Sequence, residues 1–376
     1  MVEKQRDPWL LTPGPLTTSA SVKSAMLNDW GSRDSAFIAI NAQMREQLVA
    51  LAGGEGTHVC VPLQGSGTFT VEATIGTLVP SDGKAAILIN GAYGQRIARI
   101  CDYYARRYVT LESAEDVPND PAALDRLLAQ DAEITHVVAV HCETTSGILN
   151  PIEAIAETTA RHGRALIIDA MSAFGALAID AAEVAFDALV ASSNKCLQGV
   201  PGMGFAIIRR AALEACAGNS PSLSLDLHAQ WTAMEGNGQW RFTPPTHVIV
   251  AFHKALQEHA QEGGVAGRHR RYQHNLDVLV QGMRDLGFVT LLPDELQAPI
   301  IVTFHVPDEA NFVFEKFYAR LVDRGYVIYP GKLTVADTFR IGCIGELGEA
   351  EIHGALQAIA DVLAEMGVAN RAPNDA

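Results

Sequence analysis

A chain of 376 residues, 48% hydrophobic and 19% charged, is too long for one small core and too apolar to be disordered. It fits a globular enzyme with one large domain and one smaller one. The formal net charge of −15 repels phosphate backbones and anionic membranes, so nucleic-acid and membrane partners are not expected. A few arginines still allow a local site for a small anion.

Residues 1–11 carry charges and no long apolar run, so no signal peptide is expected, and no stretch offers the roughly 20 apolar residues of a membrane span. The six cysteines, Cys60, Cys101, Cys142, Cys196, Cys216 and Cys343, include no C-x-x-C pair. That spacing suggests neither a zinc site nor a disulfide framework, but reduced thiols in a cytoplasmic protein with no metal.

Along the chain, short apolar runs alternate with helical patterns. The segments 85–90 (AAILIN), 136–141 (HVVAVH), 165–169 (ALIID), 188–192 (ALVAS) and 204–208 (GFAII) are predicted as buried strands. Between them, 121–130 and 151–162 have amphipathic helical spacing. Pro151 and the acids after it mark a helix start. Such alternation predicts an α/β domain with a mostly parallel sheet covered on both faces. The polar and aromatic stretch 223–240 is weakly periodic. A long helical pattern then runs over 245–286, interrupted at Gly263–Gly264. Strands at 300–305, 327–329 and 339–342 and a helix near 312–324 follow, an α+β pattern. The expected division is an N-terminal segment 1–20 lining the site, a large domain 21–265, and a small C-terminal domain 266–376.

Four strand ends carry chemistry, since α/β sites form where strands finish. Gln64-Gly65-Ser66-Gly67-Thr68 opens a helical run, and its glycines, hydroxyls and backbone N–H groups make either a phosphate cradle or a plain capped turn. Asn90-Gly91-Ala92-Tyr93-Gly94 lets Tyr93 lie flat against a ring, though taken alone Tyr93 reads more readily as an ordinary core or surface tyrosine. Asp169 closes an apolar strand, where a carboxylate is costly unless it meets a positive group such as a protonated ring nitrogen; a helix cap or a ribose contact is the alternative. Lys195 follows Ser192-Ser193-Asn194 and precedes a glycine-rich run. Desolvation there would free its amine as a nucleophile, as a Schiff-base lysine requires, unless it is an ordinary loop lysine. One strand–helix–strand unit is expected between Asp169 and Lys195, so both can reach one ligand. Glu143-Thr144-Thr145 also ends a strand and offers hydroxyls to the same region.

With these residues in view, the sequence resembles the class V aminotransferases, pyridoxal-phosphate enzymes of fold type I. The resemblance rests on 11–18 (LTPGPLTT), 63–70 (LQGSGTFT), 90–96 (NGAYGQR), 141–151 (HCETTSGILNP), 167–175 (IIDAMSAFG), 193–202 (SNKCLQGVPG), 240–247 (WRFTPPTH), 327–332 (VIYPGK) and 339–345 (FRIGCIG). It covers nearly the whole chain. It implies pyridoxal phosphate held covalently by Lys195, which also carries a proton, with Asp169 on the ring nitrogen. Tyr93 would stack on the ring and Thr144 would bond its phenolic oxygen. Ser66, Gly67, Thr68 and Ser193 would hold the phosphate beside Asn194, and Thr243 would reach that phosphate across the interface of a homodimer. Arg340 would take the substrate anion, and Pro13 and Gly14 would line the entrance. Arg33 would either add a second anion contact or form a surface salt bridge. The activity implied is amino transfer from 2-aminoethylphosphonate to pyruvate, giving phosphonoacetaldehyde and L-alanine. A different pair, such as alanine–glyoxylate or serine–pyruvate, is the alternative.

Overall fold

The computed structural model describes residues 7–331 and 334–373, so Lys332, the last residue of the 327–332 motif, lies outside the described residues. The elements up to the first crossover are β1 (Trp9–Leu10), α1 (Ala20–Ser24), α2 (Ser35–Leu51), β2 (His58–Gly65), α3 (Gly67–Leu78), β3 (Lys84–Ile89), α4 (Ala92–Tyr103) and β4 (Arg107–Glu112). There follow α5 (Pro121–Gln130), β5 (His136–Val140), the short hairpin β6 (Cys142–Glu143) and β7 (Ile148–Leu149), α6 (Ile152–Arg161), β8 (Ala165–Asp169), β9 (Ala188–Ser192) and β10 (Gly202–Arg209). The rest comprises α7 (Arg210–Glu214), α8 (Leu227–Asn237), α9 (Thr246–Gln261), α10 (Gly264–Asp285), β11 (Ile301–His305), α11 (Phe314–Asp323), β12 (Tyr326–Val327), β13 (Tyr329–Pro330), β14 (Thr338–Gly342) and α12 (Glu349–Met366).

Seven strands form one sheet in the order β2-β10-β9-β8-β5-β3-β4. All neighbours are parallel except β10, which runs against both β2 and β9. Side-chain alternation splits the inner strands between two cores. Ala86, Leu88, Val137, Ala139, Leu166, Ile168 and Leu189 face one layer, with α2, α5, α6 and α9. Ala85, Ile87, Ile89, Val138, Val140, Ile167 and Val190 face the other, with α3, α4 and α8. Period-two burial on both faces is what a covered parallel sheet demands. The expected α/β architecture is therefore present.

The C-terminal residues form a second core around the antiparallel sheet β11-β14-β13. Phe304 and Phe339 stack there at 5.8 Å, and α10, α11 and α12 cover them. β1 joins this part of the molecule, pairing in parallel with β12.

Three local readings change. The weakly periodic stretch contains α8, capped by the Asp226 carboxylate and ended by Gly238. The expected strand 327–329 is two pieces, because Tyr326–Val327 pairs with β1 while Tyr329–Pro330 pairs with β14. No helix joins β8 to β9: turns make the crossover, and Phe174, Ile179, Val184 and Phe186 bury themselves from it without needing a helical face. The helical break at Gly263–Gly264 occurs as expected.

Candidate active site

Strands β3, β5, β8 and β9 finish at one edge of the sheet, where the N-terminus of α3 also lies. The loops beyond them enclose a cavity of about 200 Å³, lined in part by Gly14, Ser66, Gly67, Thr68, Tyr93, Asp169, Asn194 and Lys195. Residues separated by up to 181 positions in sequence order are thus brought to one place by strand register rather than by proximity in the chain.

Asp169 sits opposite Val140 and Val190 at the end of β8. It is buried, and one carboxylate oxygen accepts from the Met171 N–H at 3.0 Å. Burial pushes its pKa up to about 6 against that hydrogen bond. Lys195 follows β9, and its Nζ donates to the Pro13 carbonyl at 2.6 Å. Burial holds its pKa down at about 8. Gly14, at φ +122°, makes the close pass possible, since a Cβ there would lie 2.8 Å from Lys195 Nζ. The lysine loop is tied to α10: buried Arg268 donates to the Cys196 carbonyl, and Gln198 reaches Tyr272 and the Gly345 carbonyl, both at 2.6 Å. Burial raises the Cys196 thiol to about 12, so it is an inert core group.

Ser66 caps α3 without a side-chain capping bond. Tyr93 stands in the first turn of α4, and its backbone N–H is held at 3.1 Å by the buried Glu143 carboxylate. That carboxylate also accepts from the N–H and hydroxyl of Thr145, at 3.0 and 2.6 Å. Burial raises the Glu143 pKa.

Other expected residues do not line the cavity. The Ser193 hydroxyl bonds the Val200 and Met203 carbonyls at 2.6 and 3.0 Å; its strand neighbour Ser192 lines the wall instead, as side-chain alternation requires. The Thr144 hydroxyl is buried beside the Tyr93 phenol without a hydrogen bond of good geometry. Behind it, Arg340 on β14 donates to the Thr144 and Pro330 carbonyls at 2.6 and 2.9 Å and lies over the Tyr329 ring at 5.0 Å. Thr243 is exposed in the loop before α9. Arg33 is exposed, away from the cavity, and Asp34 caps α2 rather than pairing with it. Sequence reasoning missed Arg96 and Met171 on the cavity wall and the bracing role of Glu143. The i, i+3 spacing of Tyr93 and Arg96 was the available signal for Arg96.

The model of the family described as aminotransferase class V matches residues 20–320. The chain belongs to the class V aminotransferases. A relative from Burkholderia lata, named 2-aminoethylphosphonate–pyruvate transaminase 2, is 58% identical over 361 residues, covering 96% of each chain. Another from Pseudomonas aeruginosa, named 2-aminoethylphosphonate–pyruvate transaminase, is 56% identical over 98% of this chain and 99% of its own. In fold, the aminotransferase is similar to ureidoglycine–glyoxylate aminotransferase from Bacillus subtilis, with a TM-score of 0.90 at 22% identity over 98% and 96% of the two chains.

Pyridoxal phosphate is the cofactor of this aminotransferase, and the residues present fit it. A buried carboxylate to which no cation among the described residues is bonded suits a protonated ring nitrogen, and a recessed amine with a depressed pKa suits a carbonyl carbon. Among the described residues, no helix is long and apolar enough to cross a membrane.

At a pKa of about 8, roughly a tenth of the Lys195 amine is neutral at pH 7, against well under ~0.1% for an ordinary lysine. Acylation of Lys195 in the cofactor-free aminotransferase, followed by peptide mass spectrometry, is expected to accelerate about tenfold from pH 7 to pH 9 and then level off. A rate still climbing at pH 10 would mean an ordinary lysine.

Proposed function

We propose that the chain transfers the amino group of 2-aminoethylphosphonate to pyruvate, giving phosphonoacetaldehyde and L-alanine. The observation that carries this reading is the 58% identity over 96% of the chain to a relative of that name. Pyridoxal phosphate, when bound, supplies the electron sink that makes the carbon bearing the amino group acidic. Lys195 would hold it, and its Nζ would take the proton from that carbon. Placed on one side of the ring, the same amine would return the proton to one face of the pyruvate-derived carbon, which would give alanine of a single hand. Asp169 would hold the ring nitrogen, Tyr93 would support the ring, and Thr144 would bond the phenolic oxygen. Ser66, Gly67 and Thr68 would hold the phosphate, with Ser192 rather than Ser193 and with Asn194 beside them. Arg340 would take the phosphonate or carboxylate, and Pro13 and Gly14 would bound the substrate's way in. Arg33, exposed and away from the cavity, fits a surface role better.

The assembly we propose is a homodimer in which Thr243 serves the partner's phosphate. The half-exposed rings of Phe69, beside Thr68, and Phe242, beside Thr243, support it by leaving apolar surface next to both. Six buried free cysteines support a cytoplasmic location. A division near residue 265 is supported by α9 packing on the large sheet's layer while α10 packs on α12.

The test is a half-reaction. Enzyme is mixed with 2-aminoethylphosphonate and no pyruvate, and the cofactor's visible band is followed, beside L-alanine, L-serine and taurine. Bleaching by 2-aminoethylphosphonate and alanine, with little by serine or taurine, is expected. A band that persists with 2-aminoethylphosphonate and falls with another amine overturns the substrate and leaves the aminotransferase.

A further inference from the structure

Arg96 is the cavity residue to which the reading above gives no task. It stands on α4 one turn after Tyr93, and its guanidinium lies 4.8 Å from the centre of the Tyr93 ring. From there Nη1 donates to the Thr68 hydroxyl at 3.1 Å. Among the described residues lining the cavity, the cations are Lys195 and Arg96, and Asp169 adds a carboxylate. Lys195 is committed to the cofactor's carbonyl end. A phosphate dianion at the other end, in a chain of net charge −15, then has Arg96 as the remaining fixed positive charge on the cavity wall.

The hydrogen-bond arithmetic at Thr68 agrees. A hydroxyl has one hydrogen to donate and lone pairs to accept. Because its oxygen accepts from the guanidinium, the Thr68 hydrogen stays available for an anion in the cradle, and the adjacent positive charge strengthens that donation. The Tyr93 ring beneath keeps the guanidinium from swinging away.

We propose that Arg96 is a positioning residue of the cofactor's phosphate site, acting through the Thr68 hydroxyl, and that it sets the preference for the phosphorylated cofactor. This rests on the pyridoxal-phosphate reading.

The experiment strips the holoenzyme of cofactor and titrates it separately with pyridoxal phosphate and with pyridoxal, which lacks the phosphate. For Arg96→Gln, the Kd for pyridoxal phosphate is expected to rise about tenfold or more, while the Kd for pyridoxal stays within about twofold. Arg96→Lys should fall between, keeping the charge but losing the planar fork. In a Thr68→Ala background the effect of Arg96→Gln should shrink, since the relay is already cut. Pyridoxal binding reports directly on whether the variant is folded. A variant that weakens both ligands alike, or neither, overturns the inference while leaving the cofactor reading intact. Wild-type enzyme showing no preference for the phosphorylated form would overturn both.

Discussion

Lys195→Ala is expected to lower the transamination rate by at least about 10⁴-fold, because the proposed function gives this one residue both the covalent hold on the cofactor and the carrying of the proton. Nothing nearby can take over. The neighbouring thiols Cys142 and Cys196 are buried and held well above the usual thiol range, and the Asp169 carboxylate is engaged with the Met171 N–H. The fold should tolerate the change, since the substitution removes an amine whose one hydrogen bond is to the Pro13 carbonyl and which burial already disfavours as a cation. Steady-state rates, the visible spectrum and a thermal melt together check this. The expected picture is a folded protein that still binds the cofactor, lacks the wild-type band and is nearly inactive. A small primary amine added to the buffer should restore part of the rate by replacing the missing base. Full activity in the variant would remove Lys195 from the centre of the reaction.

Arg340→Ala is expected to raise KM for 2-aminoethylphosphonate and for pyruvate by about 100-fold, the cost of roughly two charge-assisted hydrogen bonds, while changing cofactor affinity little. The guanidinium is buried, sits in no ion pair among the described residues, and donates to two backbone carbonyls. Among the described residues its Nε has no partner. A buried cation without an anion is costly unless something repays it, and a substrate phosphonate or carboxylate would do so. Arg340→Lys should recover only part of the loss, because a point charge cannot match the fork. An unchanged KM would take Arg340 out of substrate binding; a rise for one substrate alone would separate the phosphonate and carboxylate contacts.

The parts of this fold that read clearly from sequence are those whose signal is local. Ala165–Asp169 and Ala188–Ser192 occur at the bounds their apolar runs predict, each ending in the polar residue that carries or flanks the chemistry. β2 is read only at its end, near Gln64, because Pro62 interrupts its body, a residue the sheet accepts because β2 is an edge strand. β4, at the other edge, is half-exposed and shows no clean alternation. In the cavity, Asp169, Lys195 and Tyr93 were visible because glycines and strand ends surround them in the sequence. The bracing by Glu143 behind the cavity and the presence of Arg96 in its wall were not. What Glu143 does depends on Gly91 coming close enough for a backbone N–H to reach it, and what Arg96 does depends on folding back to a hydroxyl 28 residues earlier. Ser193 and Ser192 exchanged places because one step along a strand reverses the face, a distinction composition cannot make.

The strand Trp9–Leu10 finds its partner Tyr326–Val327 more than 300 residues further along the chain. Residues 9 and 10 therefore cannot take their place until residues 326 and 327 have been made. Until then the Pro13 carbonyl and Gly14 lack that anchor beside the amine, although the seven-stranded sheet that leads to Lys195 can already be complete. The order of synthesis thus leaves an interval in which the large sheet can exist without the pairing that anchors residues 9–14 beside the lysine.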